Sequence, residues 1–416
     1  MRHFAFAAVS FWVFAVAFLI AQESVLGFSF NAFLWLGAVH VLTLGWITMT
    51  MLGVMVQMAT VLWETPLSSP GWIRAGWWML ASGILGFVGA LWAGASWYGL
   101  PAYFLTVPIV LYLGAMIRTM RGASKLGWTG LHMAWAMGYL IALVTVAVLL
   151  AADRHRGTVF HDSDGALIAH IHLALVGWVS LTIMGASYKL VSMFALAHTT
   201  SRTAGQIAFG LVNAGLIGLT VDALFLGRRW TPVWAVVLGL GYLAYLSQMR
   251  EIFSVRNRKI DPALAFTLMA LAGGVIWVGL GIGLAFGWLA DDTEVRVAYV
   301  FAALVGWVTP FIFGQIHKIA PFLVWTRLFQ SNAWKGSPPP RVQDLTSERL
   351  AWGTFGALGI AIVSGLVGLL GEFQWVLRVC GVSLVVCSTC YLFNAWNLAR
   401  HVFKNFSLSL GGRGQG

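Results

Sequence analysis

The sequence predicts an all-α membrane protein of about twelve transmembrane helices, arranged as three pseudo-threefold units of four helices each. Three observations carry that reading. Of the 416 residues, 59% are hydrophobic and only 9% are charged, where a soluble domain carries roughly 25% charged residues. The apolar runs are continuous and reach the about 20 residues a helix needs to cross the hydrocarbon core. They do not alternate, which excludes a transmembrane barrel. Finally, one short pattern recurs three times at an interval of four helices, the mark of an internal repeat.

In chain order the expected spans are 4–21, 32–62, 73–94, 101–118, 129–151, 166–196, 204–226, 231–249, 263–288, 295–325, 350–370 and 375–399. The first run is long and bulky, and no small-x-small cleavage site follows it. It reads as a retained helix rather than a signal peptide. Residues 1–416 form one polytopic domain, with residues 400–416 as a tail.

The net charge of +11 is no sign of nucleic-acid binding, because it sorts by loop. With the N-terminus inside, seventeen Lys and Arg fall in inner loops, among them Arg250, Arg256, Arg258 and Lys259. Six fall outside: Arg154, Arg156, Arg228, Arg229, Arg296 and Arg378. The bias places both termini in the cytoplasm of a bacterial-type inner membrane. The outer loops collect Asp153, Asp162, Asp164, Asp291, Asp292 and Glu294, and the acidic stretch 153–164 is a candidate docking surface. The cysteines, Cys380, Cys387 and Cys390, all lie in the last span and read as small packing residues. With no CxxC-His motif, a covalently attached heme is not expected.

The repeat is "HVLTLGWITMTMLGVMVQM" (40–58), "HLALVGWVSLTIMGASYKL" (172–190) and "FAALVGWVTPFIFGQIHKI" (301–319). Each copy has a Gly-Trp pair, at Gly45-Trp46, Gly177-Trp178 and Gly306-Trp307. A second glycine follows at Gly53, Gly185 and Gly314, then a polar residue at Gln57, Lys189 and Lys318. These are the second, sixth and tenth spans, so the three units centre on 32–62, 166–196 and 295–325. The small residues predict close helix approach near the axis.

An ionisable side chain inside a membrane helix is expensive and marks function by default. His40 and His172 hold equivalent repeat positions, each about 10 Å below the outer surface. Two imidazoles at one depth on neighbouring inner helices are what a bis-histidine iron site needs. His170 stands two residues from His172, a rotation of roughly 200° on a helix. The sixth helix therefore divides two pockets and reaches into each. His40 pairs with either His170 or His172 on one heme, and the repeat equivalence favours His172. The remaining histidine is left for a second heme or, less favoured, a copper. In "GRRWTP" (227–232), Arg228 and Arg229 suit heme propionates, with Asp222 as a partner for one of them.

His132 and His317 fall near the inner face. With Lys189, Lys318 and Gln315 they form a lower-ranked candidate for a proton route or a quinone-head site. His3, His155, His161, His198 and His401 lie in loops or at helix ends, where no specific role is expected.

"HIHLALVGWVSLTIMGASYKLV" resembles the ligand helix of heme-copper oxidase catalytic subunits, most closely the C-family cytochrome c oxidases and the related nitric oxide reductase large subunits. The matching residues are His170, His172, Gly177, Trp178, Val179, Gly185, Ala186, Tyr188, Leu190 and Val191. The resemblance implies a twelve-helix pseudo-threefold ring. It implies that the first histidine serves a high-spin heme and the second a low-spin heme, on opposite helix faces. It also implies that the Arg228-Arg229 pair binds propionates. The strong match covers about 25 residues, and four departures stand out. The helix is the sixth here but the tenth in the family. Phe301 stands where a ligand would be expected in the tenth. There is no adjacent His-His pair for a distal copper, and no glutamate at this depth for a non-heme iron.

The resulting expectation is a b-type heme protein with one or two hemes, transferring electrons within a respiratory-type complex. A c-type cytochrome or a quinol is the expected partner, with other membrane subunits and the lipid bilayer around it. Two alternatives stay open: a residual nitric oxide or oxygen reductase, and a transporter or binding protein for heme, copper or a small anion.

Overall fold

The computed structural model describes residues 1–26, 32–197, 201–329 and 339–411. His198, Lys335 and Arg413 lie outside these residues. Twelve helices are long and apolar enough to cross a membrane. They are α1 (Arg2–Ser24), α2 (Phe33–Thr60), α3 (Pro70–Trp92), α4 (Gly99–Arg121), α5 (Gly127–Asp153), α6 (Ser163–Ala195), α7 (Thr203–Phe225), α8 (Thr231–Ser254), α9 (Pro262–Ala285), α10 (Thr293–Phe329), α11 (Glu348–Leu370) and α12 (Gln374–Val402). No strand occurs among the described residues. The chain is therefore an all-α, multi-pass membrane protein. Twelve alternating crossings bring both termini to one end of the bundle, called here the terminal end.

Two boundaries differ from expectation. The last helix does not stop at 399 but continues to Gly411, so most of the expected tail is helical. The fourth span is broken near Leu105, between Gly99–Phe104 and Thr106–Arg121. Elsewhere the caps explain the helix starts. Asp162, Asp261 and Asp292 accept from the backbone N–H of Gly165, Leu264 and Val295. Pro262 then opens α9 at a position where its missing N–H costs nothing.

The units meet at the repeat. α2, α6 and α10 each contain a wide-turned π stretch, Val41–Thr48, Leu173–Ser180 and Ala302–Val308, holding the Gly-Trp pair. The three tryptophans are fully buried. Each donates its indole N–H to the hydroxyl two residues beyond the tryptophan of a neighbouring unit. Trp46 donates to Thr309 at 3.3 Å, Trp307 to Ser180 at 2.9 Å, and Trp178 to Thr48 at 3.3 Å. The three bonds close a ring around the axis. Every donor is satisfied by a different unit, and no lipid or water is needed to satisfy it.

The glycines bring the preceding helix against each repeat helix in a common register. At the first glycine, Gly45, Gly177 and Gly306 face Ser10, Tyr139 and Gly273. At the second, Gly53 and Gly185 face His3 and His132, and Gly314 faces Ala263 and Phe266. The facing residues of α1, α5 and α9 are seven apart in each unit, so the repeat extends beyond the copies visible in sequence. The tightest approach is backbone on backbone. A Cβ on Gly273 would stand 2.0 Å from the carbonyl oxygen of Gly306.

Gly273→Ala must force α9 away from α10 and is expected to destabilise by at least about 1–3 kcal/mol. Gly279→Ala, on the same helix with open space around it, is the control and should change little. Ser180→Ala strands the Trp307 N–H and is expected to cost about 1–3 kcal/mol, while Ser180→Thr should retain most of the stability. Thermal unfolding of detergent-solubilised protein reads all four variants.

Candidate functional site: histidines between the units

The junction residues sit just ahead of the π stretch in each repeat helix: His40 in α2, His170 and His172 in α6, and Tyr299 and Phe301 in α10. Such wide turns often accompany functional positions. Here they occur in all three units, so they belong to the repeat itself.

His40 donates its Nδ1–H to the Leu36 carbonyl, four residues back, at 2.7 Å. A carbonyl only accepts, so Nδ1 carries the proton and Nε2 presents a lone pair. Phe87 of α3 stands edge-on to the ring at 5.1 Å. His170 of α6 lies near enough to His40 for a charge on one ring to act on the other. Its own Nδ1 is buried and has no hydrogen-bond partner. Both residues are half-buried within the bundle.

His172 leaves the opposite face of α6. Its Nδ1 is tied to the Ile168 carbonyl at 2.8 Å. Its Nε2 accepts from the Tyr299 hydroxyl of α10, also at 2.8 Å. Repeat equivalence favoured His172 as the partner of His40; His172 is engaged by Tyr299 of α10, and His170 is the α6 histidine that lies near His40. The cause is the rotation of the units. At the first two junctions the repeat position of one unit lies toward the residue two places earlier in the next. The first junction places His40 near His170. The second pairs His172 with Tyr299, which holds in α10 the place of His170 in α6. At the third, Phe301 packs on Phe18 of α1, and Ala38 in the remaining place is fully buried. One motif thus yields three chemically different junctions. Tyr299 was missed from sequence, although its offset from Phe301 matches that of His170 from His172.

The arginines stand above this level. Arg228 pairs with Asp162 at 3.1 Å, and Arg229 lies over the Trp230 ring at 5.8 Å. Asp162 opens α6 eight residues before His170, about 12 Å along the axis. Asp222 does not pair with either guanidinium. It is fully buried and accepts from the Trp230 N–H at 2.9 Å and the Thr231 hydroxyl at 2.8 Å. That closes the tight 226–231 turn, in which Arg228 takes a positive φ of 64°. The acidic loop is also used internally. Asp153 accepts from Val159 N–H, Phe160 N–H and the Ser163 hydroxyl. Nearby at the same end, Asp291 is held below the usual carboxylate range by its hydrogen bonds from Arg296.

At the terminal end the structure separates what the sequence grouped. His132 and Lys189 belong to the second unit, His317, Lys318 and Gln315 to the third. His132 bonds the Trp128 carbonyl at 3.0 Å and packs against Tyr188 and Phe209. His317 bonds the Phe313 carbonyl at 2.7 Å and stacks on Phe266. The Nε2 of each is buried without a partner. Lys318 is paired with Asp261, which Arg258 also approaches. No single inner site unites them. His3, expected to be idle, bonds the Tyr112 hydroxyl and packs its Cβ side on Gly53. It is the first unit's counterpart of His132.

Among the described residues, no group of three or more His, Cys, Asp or Glu side chains converges as a metal site. No protein-family model matches the chain, and no curated protein matches its sequence.

Asp222→Asn sets an amide N–H2 against one of the two donors, the Trp230 N–H or the Thr231 hydroxyl, and should destabilise by about 1–3 kcal/mol. Asp162→Asn keeps the helix cap and loses only a partly exposed ion pair, so less than about 1 kcal/mol is expected. Thermal melts of the two variants side by side test this ranking.

Proposed function

We propose that this protein is a membrane b-type cytochrome of heme-copper-oxidase-like fold that transfers electrons, with one heme held between His40 of α2 and His170 of α6. The observation that carries the reading is a pair of histidines from two different units that lie near each other within the apolar bundle. The tying of His40 Nδ1 to Leu36 supports it, because that leaves Nε2 free as a ligand. The buried, unpartnered Nδ1 of His170 fits a bound group as well.

Bound there, heme b supplies one-electron redox chemistry. The chain's own residues do the rest. His40 and His170 bind from two rigid helices. Phe87 and the surrounding apolar side chains keep water from the ring edges, which favours a stable redox site over an exposed one. A group held by both imidazoles would keep no site open for a gas, so electron transfer is preferred to nitric oxide or oxygen reduction. His172 is engaged by Tyr299 and is not counted as a ligand of this heme, so one heme is expected rather than two. Arg228 and Arg229, at the same end of the bundle as the Asp162 cap of α6, would be the basic groups to meet the propionates. In this reading the membrane is a bacterial-type inner membrane, the terminal end is cytoplasmic, and the electron partner is a c-type cytochrome or a quinol.

The visible spectrum of purified protein, oxidised and dithionite-reduced, with and without carbon monoxide, tests the reading. A sharp reduced b-type band that carbon monoxide does not move is expected. His40→Ala and His170→Ala should each abolish the six-coordinate spectrum or render it sensitive to carbon monoxide, and His172→Ala should leave it nearly unchanged. Protein made with ample heme and purified without any would sink the assignment and favour the transporter or binding reading.

A further inference from the structure

At the terminal end of the second unit, α5, α6, α7 and α8 leave a cavity of about 530 Å3. That is within the size of sites that hold organic ligands and far larger than a single inorganic ion needs. Its lining combines two cations, Lys189 and Arg202, with an apolar wall of Trp128, Met193 and Ile252.

Three features set it apart from an ordinary gap at helix ends. Tyr188 lines the cavity, and its hydroxyl is buried without a hydrogen-bond partner. A buried hydroxyl left unpaired is costly, so it points to a missing acceptor. Neither Lys189 nor Arg202 forms an ion pair among the described residues. The nearby carboxylate, Glu251, is already engaged, accepting the Ser201 N–H at 2.6 Å and facing the Gln248 amide at 3.4 Å. The repeat supplies a comparison inside the same molecule. The position of Lys189 is held by Gln57 in the first unit and by Lys318 in the third. Gln57 carries no charge, and Lys318 is neutralised by Asp261. The second unit alone of the three presents an unneutralised cation at that position, and it does so at the cavity.

We infer that this cavity binds a phosphate-bearing anion. Its phosphate sits between Lys189 and Arg202 with the Tyr188 hydroxyl donating to it, and its organic remainder lies on Trp128, Met193 and Ile252. An anionic phospholipid headgroup and a soluble phosphate ester share this chemistry. Basic pockets between helices at a membrane surface recognise such groups. The site uses none of the residues assigned to the heme, so the two readings stand or fall separately.

The test uses the full chain in a neutral detergent. Phosphatidylglycerol, phosphatidylcholine and glycerol phosphate are added in turn, and native mass spectrometry and the melting temperature are recorded. Phosphatidylglycerol should be retained and raise the melting temperature, and phosphatidylcholine should do neither. Equal protection by millimolar glycerol phosphate would also support the site and would identify the occupant as a soluble ester. Lys189→Gln combined with Arg202→Gln should weaken retention roughly tenfold or more. Tyr188→Phe should weaken it less, and Lys189→Arg should preserve it, which separates lost binding from lost folding. Unchanged phosphatidylglycerol retention in the double variant, or no response to either phosphate compound, overturns the inference.

Discussion

The ring of three indole–hydroxyl bonds at the axis is the constraint on which the rest depends. Trp46, Trp178 and Trp307 each place a large side chain where three helices converge, and each hands its one donor to the next unit. An indole N–H buried at this depth has no water to fall back on. Satisfying all three at once fixes the rotation and the height of every unit relative to the others. The glycine pairs then set how near α1, α5 and α9 approach. Everything placed on α2, α6 and α10 inherits a defined position from these contacts.

The histidines are the clearest case. Once the units are rotated to close the ring, the repeat positions His40 and His172 each lie toward the residue two places earlier in the next unit. A symmetric scaffold thereby offers three similar junctions, and single substitutions make them differ. Two imidazoles lie near each other at the first. An imidazole and a phenol meet at the second, already bonded to each other. Apolar packing around Phe301 closes the third. The same logic holds at the terminal end, where Gln57, Lys189 and Lys318 occupy one repeat position and have three different electrostatic fates. Function in such a molecule lies in departures from the symmetry, on a frame that the symmetry stabilises.

The charged groups at the opposite end show why residue type alone is a poor guide to partners. Arg228, Asp162 and Asp222 lie within one small region, and opposite charges suggest several pairings. The turn at 226–231 decides among them. Asp222 is consumed by the backbone N–H of Trp230 and the Thr231 hydroxyl, which leaves Asp162, at the cap of α6, as the carboxylate that Arg228 reaches. Local backbone demand outranked the charge pairing that spacing had suggested.

The sequence by itself determined the membrane class, the twelve spans and the threefold repeat, because continuous apolar runs and buried polar residues are costly to misplace and leave a pattern along the chain. It also singled out His40, His170 and His172, since ionisable groups in apolar helices are rare. It did not reveal that His170 rather than His172 lies near His40, that Tyr299 closes the second junction, or that the inner lysines and histidines belong to separate units. Those facts depend on the angular offset between neighbouring units. That offset is set by contacts between residues more than a hundred positions apart and has no periodic trace in the chain, so only the tertiary structure decided them.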